Sequence, residues 1–443
     1  MIHPFVHRSR SRRTATRATA VNYECKQGIS AVMTPPLSAV RVFRFAICLT
    51  VMSAPAVARA GEPPDREPQI VTTSSATFAG VRQRLASGDA SLRPALDALV
   101  ADAEKALKTA PASVMDKPGP WPGGDMHDYV SYAPYFWPNP DTKDHLPYVR
   151  HDGKRNREQM AKGDAPRFEK TMGAIDTLGL AWGLTGNEQF AEHAGKLLRA
   201  WFLDPATKMN PNFSHAQAVL GENAGRGTGL IEFASMAHLV DSLELLKSSK
   251  SWTPDDQRQM TAWLTDYAHW LATSKEAGSE RHAANNHGTW FDTEEVSLLL
   301  YLGKKPEARE ICERAKVRIG KQIEPDGRQP LEEARADGFG YSVFNLDALC
   351  LLASLADRVD VDLWHYQTAD GRGIRKAMEY LAPYADPGKK WPGNQLNPPK
   401  AAALVSSLLW AAKIYGDDAF GPSLRTLPEE EVAKSRVRLM TGK

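Results

Sequence analysis

Cysteine is scarce: the 443-residue chain has four, and only Cys312 and Cys350 lie beyond residue 60. Both stand in apolar, helical surroundings, which favours two buried thiols over a disulfide and leaves the cellular compartment undecided by cysteine. A convincing alternating apolar–polar pattern is also missing, so an extensive sheet is not expected. No Gly-Lys-Ser/Thr phosphate loop occurs; the glycine-rich run from Gly221 to Gly229 follows no strand and lacks that ending. His282 and His287 are five residues apart with no clean ligand spacing around them, which makes a metal site the weakest reading. No cofactor is expected. The apolar run from Phe45 to Val57 is too short and interrupted to span a membrane.

Charge is unevenly placed. The whole chain carries +2, but its first 60 residues hold nine Lys/Arg and a single acid, Glu24. Residues 61–443 hold 46 Lys/Arg against 52 Asp/Glu, a net of −6. The basic balance therefore belongs to a leader. Arg41 and Arg44 precede the apolar run, and Ala58-Arg59-Ala60 fits a small-x-small cleavage site before Gly61. Residues 1–60 are expected to be a leader with an export signal, Met33 being an alternative start. The expected location is the periplasm or outside the cell, with no stable membrane insertion once the signal is removed; an uncleaved anchor is the other reading.

Residues 61–80 are rich in Pro, Ser and Thr and read as a loose segment. Beyond them, helical spacing recurs over 96–109, 172–184, 190–202, 229–246, 253–273, 296–302, 308–319, 343–356, 373–381 and 401–415. The prediction is an all-α domain over residues 81–430. In three places an apolar helix ends at a glycine before a polar turn and a second helix: Gly186, Gly303 and Gly416. Repeated helical hairpins stack into a solenoid or close into an α/α toroid; an irregular bundle is the alternative.

Pro118 to Pro147 is not helical, because proline fixes the backbone and removes donors. A structureless stretch of this length inside a compact domain is usually functional. Its aromatics Tyr129, Tyr132, Tyr135, Phe136 and Trp137 suit either stacking on sugar faces or pinning the loop to the core. The Gly221–Gly229 run presents Asn223 and Arg226 as candidates for a ligand carboxylate, since Arg pairs with such groups bidentately; a plain turn at a helix start is the alternative. Arg150, His151, Lys154, Arg155 and Arg157 form a basic cluster suited to a polyanion or to solubility. Nothing else points to nucleic acid.

Asn285-Asn286-His287, with Arg335 and Tyr341 downstream, combines amides, an imidazole, a guanidinium and a phenol. That set suits removal of a proton beside a sugar carboxylate, followed by expulsion of the neighbouring glycosidic oxygen. The carboxylate must first be neutralised by positioned donors, a role for Asn286 and Arg335. A base then takes the proton and an acid meets the leaving oxygen, roles open between His287 and Tyr341. Taken singly, each residue also has a bland reading: turn amides, a structural histidine, a surface arginine, a core phenol.

Asn285-Asn286-His287-Gly-Thr-Trp290, with Arg335 and Tyr341, resembles the alginate lyase superfamily, in particular polysaccharide lyase families 5 and 38. Asp128-Tyr-Val-Ser-Tyr-Ala-Pro-Tyr-Phe-Trp-Pro-Asn-Pro-Asp and Leu146-Pro-Tyr-Val-Arg-His-Asp-Gly153 are similar to its N-terminal signature. The resemblance covers roughly residues 80–415. It implies an (α/α) toroid or incomplete barrel of helical hairpins and β-elimination on alginate, glucuronan or a related polyuronide. It also implies neutralising roles for Asn286 and Arg335 and catalytic roles for His287 and Tyr341, the tyrosine usually as general acid and for some sugar configurations as base too. Tyr135, Trp137, Trp290, Asn223 and Arg226 are the substrate-binding candidates, and an anionic polysaccharide is the expected partner. Arg335-Ala-Asp-Gly-Phe-Gly-Tyr341 departs from the family in carrying two glycines where bulkier residues stand.

Two rivals belong to other classes. A glycoside hydrolase on an α/α toroid needs two flanking carboxylates, and Glu294, Glu295, Glu332, Glu333, Asp292 and Asp337 are available. A non-catalytic polysaccharide-binding protein would keep the cleft without turnover. Sequence does not reveal the oligomeric state.

Overall fold

The computed structural model describes residues 67–443, so the leader assigned to residues 1–60 lies outside the described part. Helices dominate it. α1 (Ser75–Ala86) and α2 (Arg93–Ala106) lead into the proline-rich stretch, after which come the short α3 (Arg157–Met160) and the hairpin of α4 (Ala165–Thr185) and α5 (Glu188–Leu198). α6 (Met236–Leu246), α7 (Pro254–Thr273) and α8 (Lys275–Arg281) precede a second hairpin, α9 (Asn286–Tyr301) and α10 (Lys305–Gln322). α11 (Pro330–Glu333), α12 (Gly338–Ala356) and α13 (Ile374–Leu381) follow. A third hairpin joins α14 (Val405–Tyr415) to α15 (Asp417–Thr426), and α16 (Glu429–Lys434) and α17 (Val437–Thr441) end the chain.

The three hairpin glycines do what the sequence predicts. Gly186, Gly303 and Gly416 all have positive φ, at 68°, 75° and 94°, where a Cβ would be strained. Inner helices pack in the order α2, α4, α6, α9, α12 and α14, and α17 touches α14, α1 and α2, so the ring closes. α5, α10 and α15 form an outer layer against their hairpin partners. This is an all-α toroid. α12 is apolar on nearly every face because it is enclosed on nearly every face. Leu346, Leu349, Leu352 and Leu355 are at most 1% exposed, and Cys312 and Cys350 are buried free thiols.

Two expectations need correction. The segment expected to be loose over 61–80 is ordered from Ile70: Ile70 to Thr73 are buried, and the Asp241 carboxylate accepts the Val71 N–H at 2.5 Å. Ser74 then caps α1, accepting the Thr77 N–H. Next, the helix expected over 229–246 is two pieces, a 3₁₀ stretch (Gly227–Phe233) and α6. Its glycines abut other backbone: a Cβ on Gly227 would stand 2.6 Å from the Glu276 carbonyl, and one on Gly229 2.4 Å from the Ala216 side chain. As expected, no extensive sheet forms: the described residues hold four short strands. β1 (Val130–Tyr132) pairs in parallel with β4 (His215–Ala218), and β2 (Phe136–Trp137) pairs antiparallel with β3 (Val149–Arg150). At two to four residues they are too short to show alternation.

Candidate functional site

The first turn of α9 carries the Asn-Asn-His motif. The helix starts at Asn286, earlier than apolar spacing indicates, because its opening residues are polar. Asn285 makes no side-chain cap. Glu332 takes that place from α11: its carboxylate accepts the Asn286 backbone N–H at 2.6 Å and the Asn286 Nδ2–H at 2.5 Å. A carboxylate there also meets the positive end of the helix. Burial pushes the Glu332 acid above its ordinary range, against those two bonds. Asn286 is wholly buried, and its Oδ1 has no partner. Its amide donor is therefore committed to Glu332, which differs from the neutralising role expected of it. His287 follows on the same turn, partly exposed, with Nδ1 2.6 Å from the buried Glu280 carboxylate of α8.

Arg335 and Tyr341 meet across the start of α12. Asp337 caps that helix through the Gly340 N–H at 3.3 Å, and Tyr341 lies on its first turn. Arg335 Nη2 donates to the Tyr341 hydroxyl at 2.8 Å, and the guanidinium carbon stands 3.7 Å from the Tyr341 ring centre. Asp152, just after β3, grips the same guanidinium at Nε (3.1 Å) and Nη2 (2.8 Å) and accepts the Ala336 N–H at 3.1 Å. Those bonds hold the Asp152 acid down at about 2, the Arg335 bond contributing most. Burial, then the bond to Tyr135, raises the Tyr341 phenol far above its ordinary value, so it stays protonated at neutral pH.

The proline-rich stretch supplies the facing wall. Tyr135 and Tyr341 share a hydrogen bond at 2.7 Å between their hydroxyls. Phe136 lies beneath the Arg226 guanidinium, 4.9 Å from ring centre to carbon. Trp137 is 37% exposed, and its Nε1–H donates to the Lys154 carbonyl at 2.9 Å. One of the expected uses of these aromatics occurs: Tyr129 is fully buried against Phe168 and Phe213 and anchors the loop. Trp290 packs at a tilt against Phe344, ring centres 4.9 Å apart, one turn beyond His287 and Tyr341 on their helices.

Arg226 donates from Nη2 to Gln217 Oε1 at 3.0 Å, and burial lowers its pKa. Gln217 has φ of +47°, an uncommon backbone for a side-chain-bearing residue. Its N–H donates to the Ser131 hydroxyl, which donates to the buried Glu232 carboxylate, both at 2.7 Å. Burial raises Glu232 to about 7. Asn223 departs from its expected role: its Oδ1 accepts the Val219 N–H at 3.2 Å and closes the local turn. The loop glycines serve close approach to other backbone, Gly225 lying against the Ser214 carbonyl. Arg150 of the basic cluster pairs with Asp152 at 2.7 Å, beside the site.

Five of the six carboxylates available to a hydrolase are already engaged. Asp292 pairs with Arg314 and Arg318, Glu295 with Arg281, Glu294 with the Tyr267 hydroxyl, and Glu332 with Asn286. Asp337 holds Gln395 and the α12 cap. Glu280 and Asp152 are the functional neighbours that sequence reasoning passed over. Asp152 stood within the quoted signature, whereas Glu280 sits seven residues before His287, across a helix break that spacing alone does not bridge.

The family model for alginate lyase matches residues 113–391, over half the chain. An alginate lyase from Bacteroides ovatus, solved as a crystal structure, is 35% identical, with a TM-score of 0.80 over 84% of this chain and 99% of that one. Alginate lyase A1-III from Sphingomonas species A1 is 18% identical, with a TM-score of 0.55 over 84% of this chain and 97% of its own. A histidine-to-alanine form of A1-III complexed with a tetrasaccharide is 19% identical, with a TM-score of 0.51 over 86% of this chain and 99% of its own. The A1-III likenesses speak to the fold. A search of curated proteins found no match. The family match and the Bacteroides likeness, resting on a toroid that gathers His287, Arg335 and Tyr341, lead to one conclusion: the chain belongs to the alginate lyase family and is a polysaccharide lyase.

Proposed function

We propose that the chain is an exported enzyme that cleaves a polyuronate, mannuronate-rich alginate or glucuronan, by β-elimination in the cleft bounded by His287, Arg335, Tyr341, Tyr135 and Arg226. The observation that carries this reading is the Tyr341 hydroxyl accepting a hydrogen bond from Arg335, with the His287 imidazole on the first turn of the neighbouring helix. Arg226 and Arg335 supply positive charge for the uronate carboxylate; Nη1 of each makes no hydrogen bond among the described residues. Charge that builds on the carboxylate as C5 loses its proton is stabilised there. His287 Nε2 takes the C5 proton. The C5–H electron pair becomes the C4–C5 double bond, the C4–O4 bond breaks, and Tyr341 gives its proton to O4. Asn286 and Glu332 hold the first turn of α9, and with it His287. Trp137, Tyr135 and Trp290 provide ring faces for the sugar chain.

The tetrasaccharide complexes of A1-III support an oligosaccharide ligand for this cleft. The leader's basic residues, apolar run and small-x-small site support export. Mass spectrometry of digested polymannuronate tests the chemistry. Elimination gives a new non-reducing end lighter by one water than hydrolysis does, so a hydrolytic product mass overturns the proposal. Intact polymer after prolonged incubation with each polyuronate overturns it in favour of a binding protein.

A further inference from the structure

Glu280 has no part in the chemistry just described, yet it is 2% exposed at its side chain and lies 2.6 Å from His287 Nδ1. A buried carboxylate requires partners. Two groups answer that need. His287 answers by the 2.6 Å contact, and Arg226 only by a weak electrostatic influence with no direct bond to Glu280. Glu294 and Glu332 also border the pair: Glu294 senses Glu280, and Glu332 senses His287. Glu294 is tied to Tyr267 and Glu332 to Asn286, so neither competes for the imidazole.

We propose that Glu280 is a positioning residue that fixes the tautomer of His287, holding the proton on Nδ1 and leaving the Nε2 lone pair for substrate. The inference rests on the reading of His287 as the base. An ionised carboxylate only accepts hydrogen bonds, so the nitrogen facing it carries the hydrogen. The neutral ring then has one bare nitrogen, Nε2, and a base needs that atom bare. Without the carboxylate, both tautomers are open to the ring, and the Nε2–H form is unable to take a proton at the face it offers.

The backbone makes this placement durable. Glu280 is the penultimate residue of α8, one helix before His287. Gly227 packs directly on α8: a Cβ there would lie 2.6 Å from the Glu276 carbonyl and 3.0 Å from Ser279 Cβ. The loop that carries Arg226 is thus seated on the helix that carries Glu280. The carboxylate that faces the base thus sits on the helix against which the loop of the substrate-facing arginine packs.

The test is ¹⁵N NMR of the full chain labelled in histidine, with His287→Gln identifying the signal. The native protein is expected to show a protonated Nδ1 and a bare Nε2 on His287. Glu280→Ala should give a tautomer mixture, and kcat should fall on the order of 10²-fold with KM little changed. Glu280→Gln keeps an acceptor oxygen, so it should retain the tautomer and more of the activity, and it remains informative if the alanine variant does not fold. A native His287 protonated at Nε2, or an unchanged ring signal in Glu280→Ala, overturns the inference. Because the signal is read without turnover, it stands apart from whether the chain is a polyuronate lyase.

Discussion

At the residue scale the chemistry depends on a phenol that keeps its proton. Tyr341→Phe removes the hydroxyl that Arg335 and Tyr135 share and leaves the ring under the guanidinium. Turnover should fall by about 10²- to 10⁴-fold, the range for loss of a positioned general acid. The stability cost should stay near 1 kcal/mol, the usual worth of such a hydrogen bond, as thermal unfolding and kcat measured on one sample will show. Asp152 has a different signature. Its folded acid is depressed to about 2 from an ordinary 3.8, chiefly by the Arg335 bond. A depressed acid contributes stability that is complete above the ordinary value and is lost as pH falls through the folded one. Unfolding of the native protein and Asp152→Asn should therefore differ by a constant amount above pH 5 and converge between about 4 and 2. A gap that persists undiminished at pH 2 would remove the Asp152–Arg335 pair from the account.

Among elements, the junction of β1, β4 and the 3₁₀ stretch carries a buried acid. Glu232 accepts from Tyr129 and Ser131 at one oxygen, each at 2.7 Å, and burial lifts it to about 7. A raised carboxylic acid binds its proton more tightly when folded, so stability falls as pH rises from the unfolded value toward 7 and the loss is complete above it. Glu232→Gln keeps an acceptor for both hydroxyls and removes the charge. It should match the native protein near pH 5 and exceed it near pH 8 by about 3 kcal/mol, read by denaturant unfolding. The loop beside it offers a steric test. Gly227→Ala meets the Glu276 carbonyl at 2.6 Å and must push the Arg226 loop off α8. It should cost about 1–3 kcal/mol, as overpacking does, and raise KM more than it lowers kcat; an unchanged KM would separate Arg226 from substrate binding.

The elements also show where sequence was legible. Hairpin glycines at 186, 303 and 416 were readable because positive φ restricts the residue type. The start of α9 was not, because its first turn is polar and its cap comes from Glu332, far along the chain. Asn286, His287, Arg335 and Tyr341 were visible through a motif, and the structure gathers them at the neighbouring starts of α9 and α12. The motif did not show that Asn286 donates inward to Glu332 or that Asn223 closes its own turn. Those facts are set by burial, which spacing does not encode. The same holds for Ile70 to Thr73: a short stretch within a Pro/Ser/Thr-rich segment reads as loose until Asp241 receives it.

Over the described residues 67–443 the helices form a closed ring whose last helix joins its first. α17 packs on α1, α2 and α14, and Leu439 within it is fully buried. Leu439→Ala should cost about 2–5 kcal/mol, the range for an emptied core leucine, and leave kcat per folded molecule unchanged, because the cleft lies at the starts of α9 and α12. Unfolding midpoints and active-site titration check both halves. Closure also explains how a cleft between short strands and helix starts holds its shape: α9 and α12 are adjacent members of the inner ring, and α10 braces both from outside. The central claim is that this cleft performs elimination through Tyr341. The most direct measurement is ultraviolet absorbance of the unsaturated uronate during incubation with polymannuronate, polyguluronate and glucuronan, for the native protein and Tyr341→Phe. The account predicts a steady rise on polymannuronate or glucuronan with the native protein and one slower by about 10²- to 10⁴-fold with the variant. New reducing ends without absorbance, or an undiminished rise in Tyr341→Phe, would contradict it.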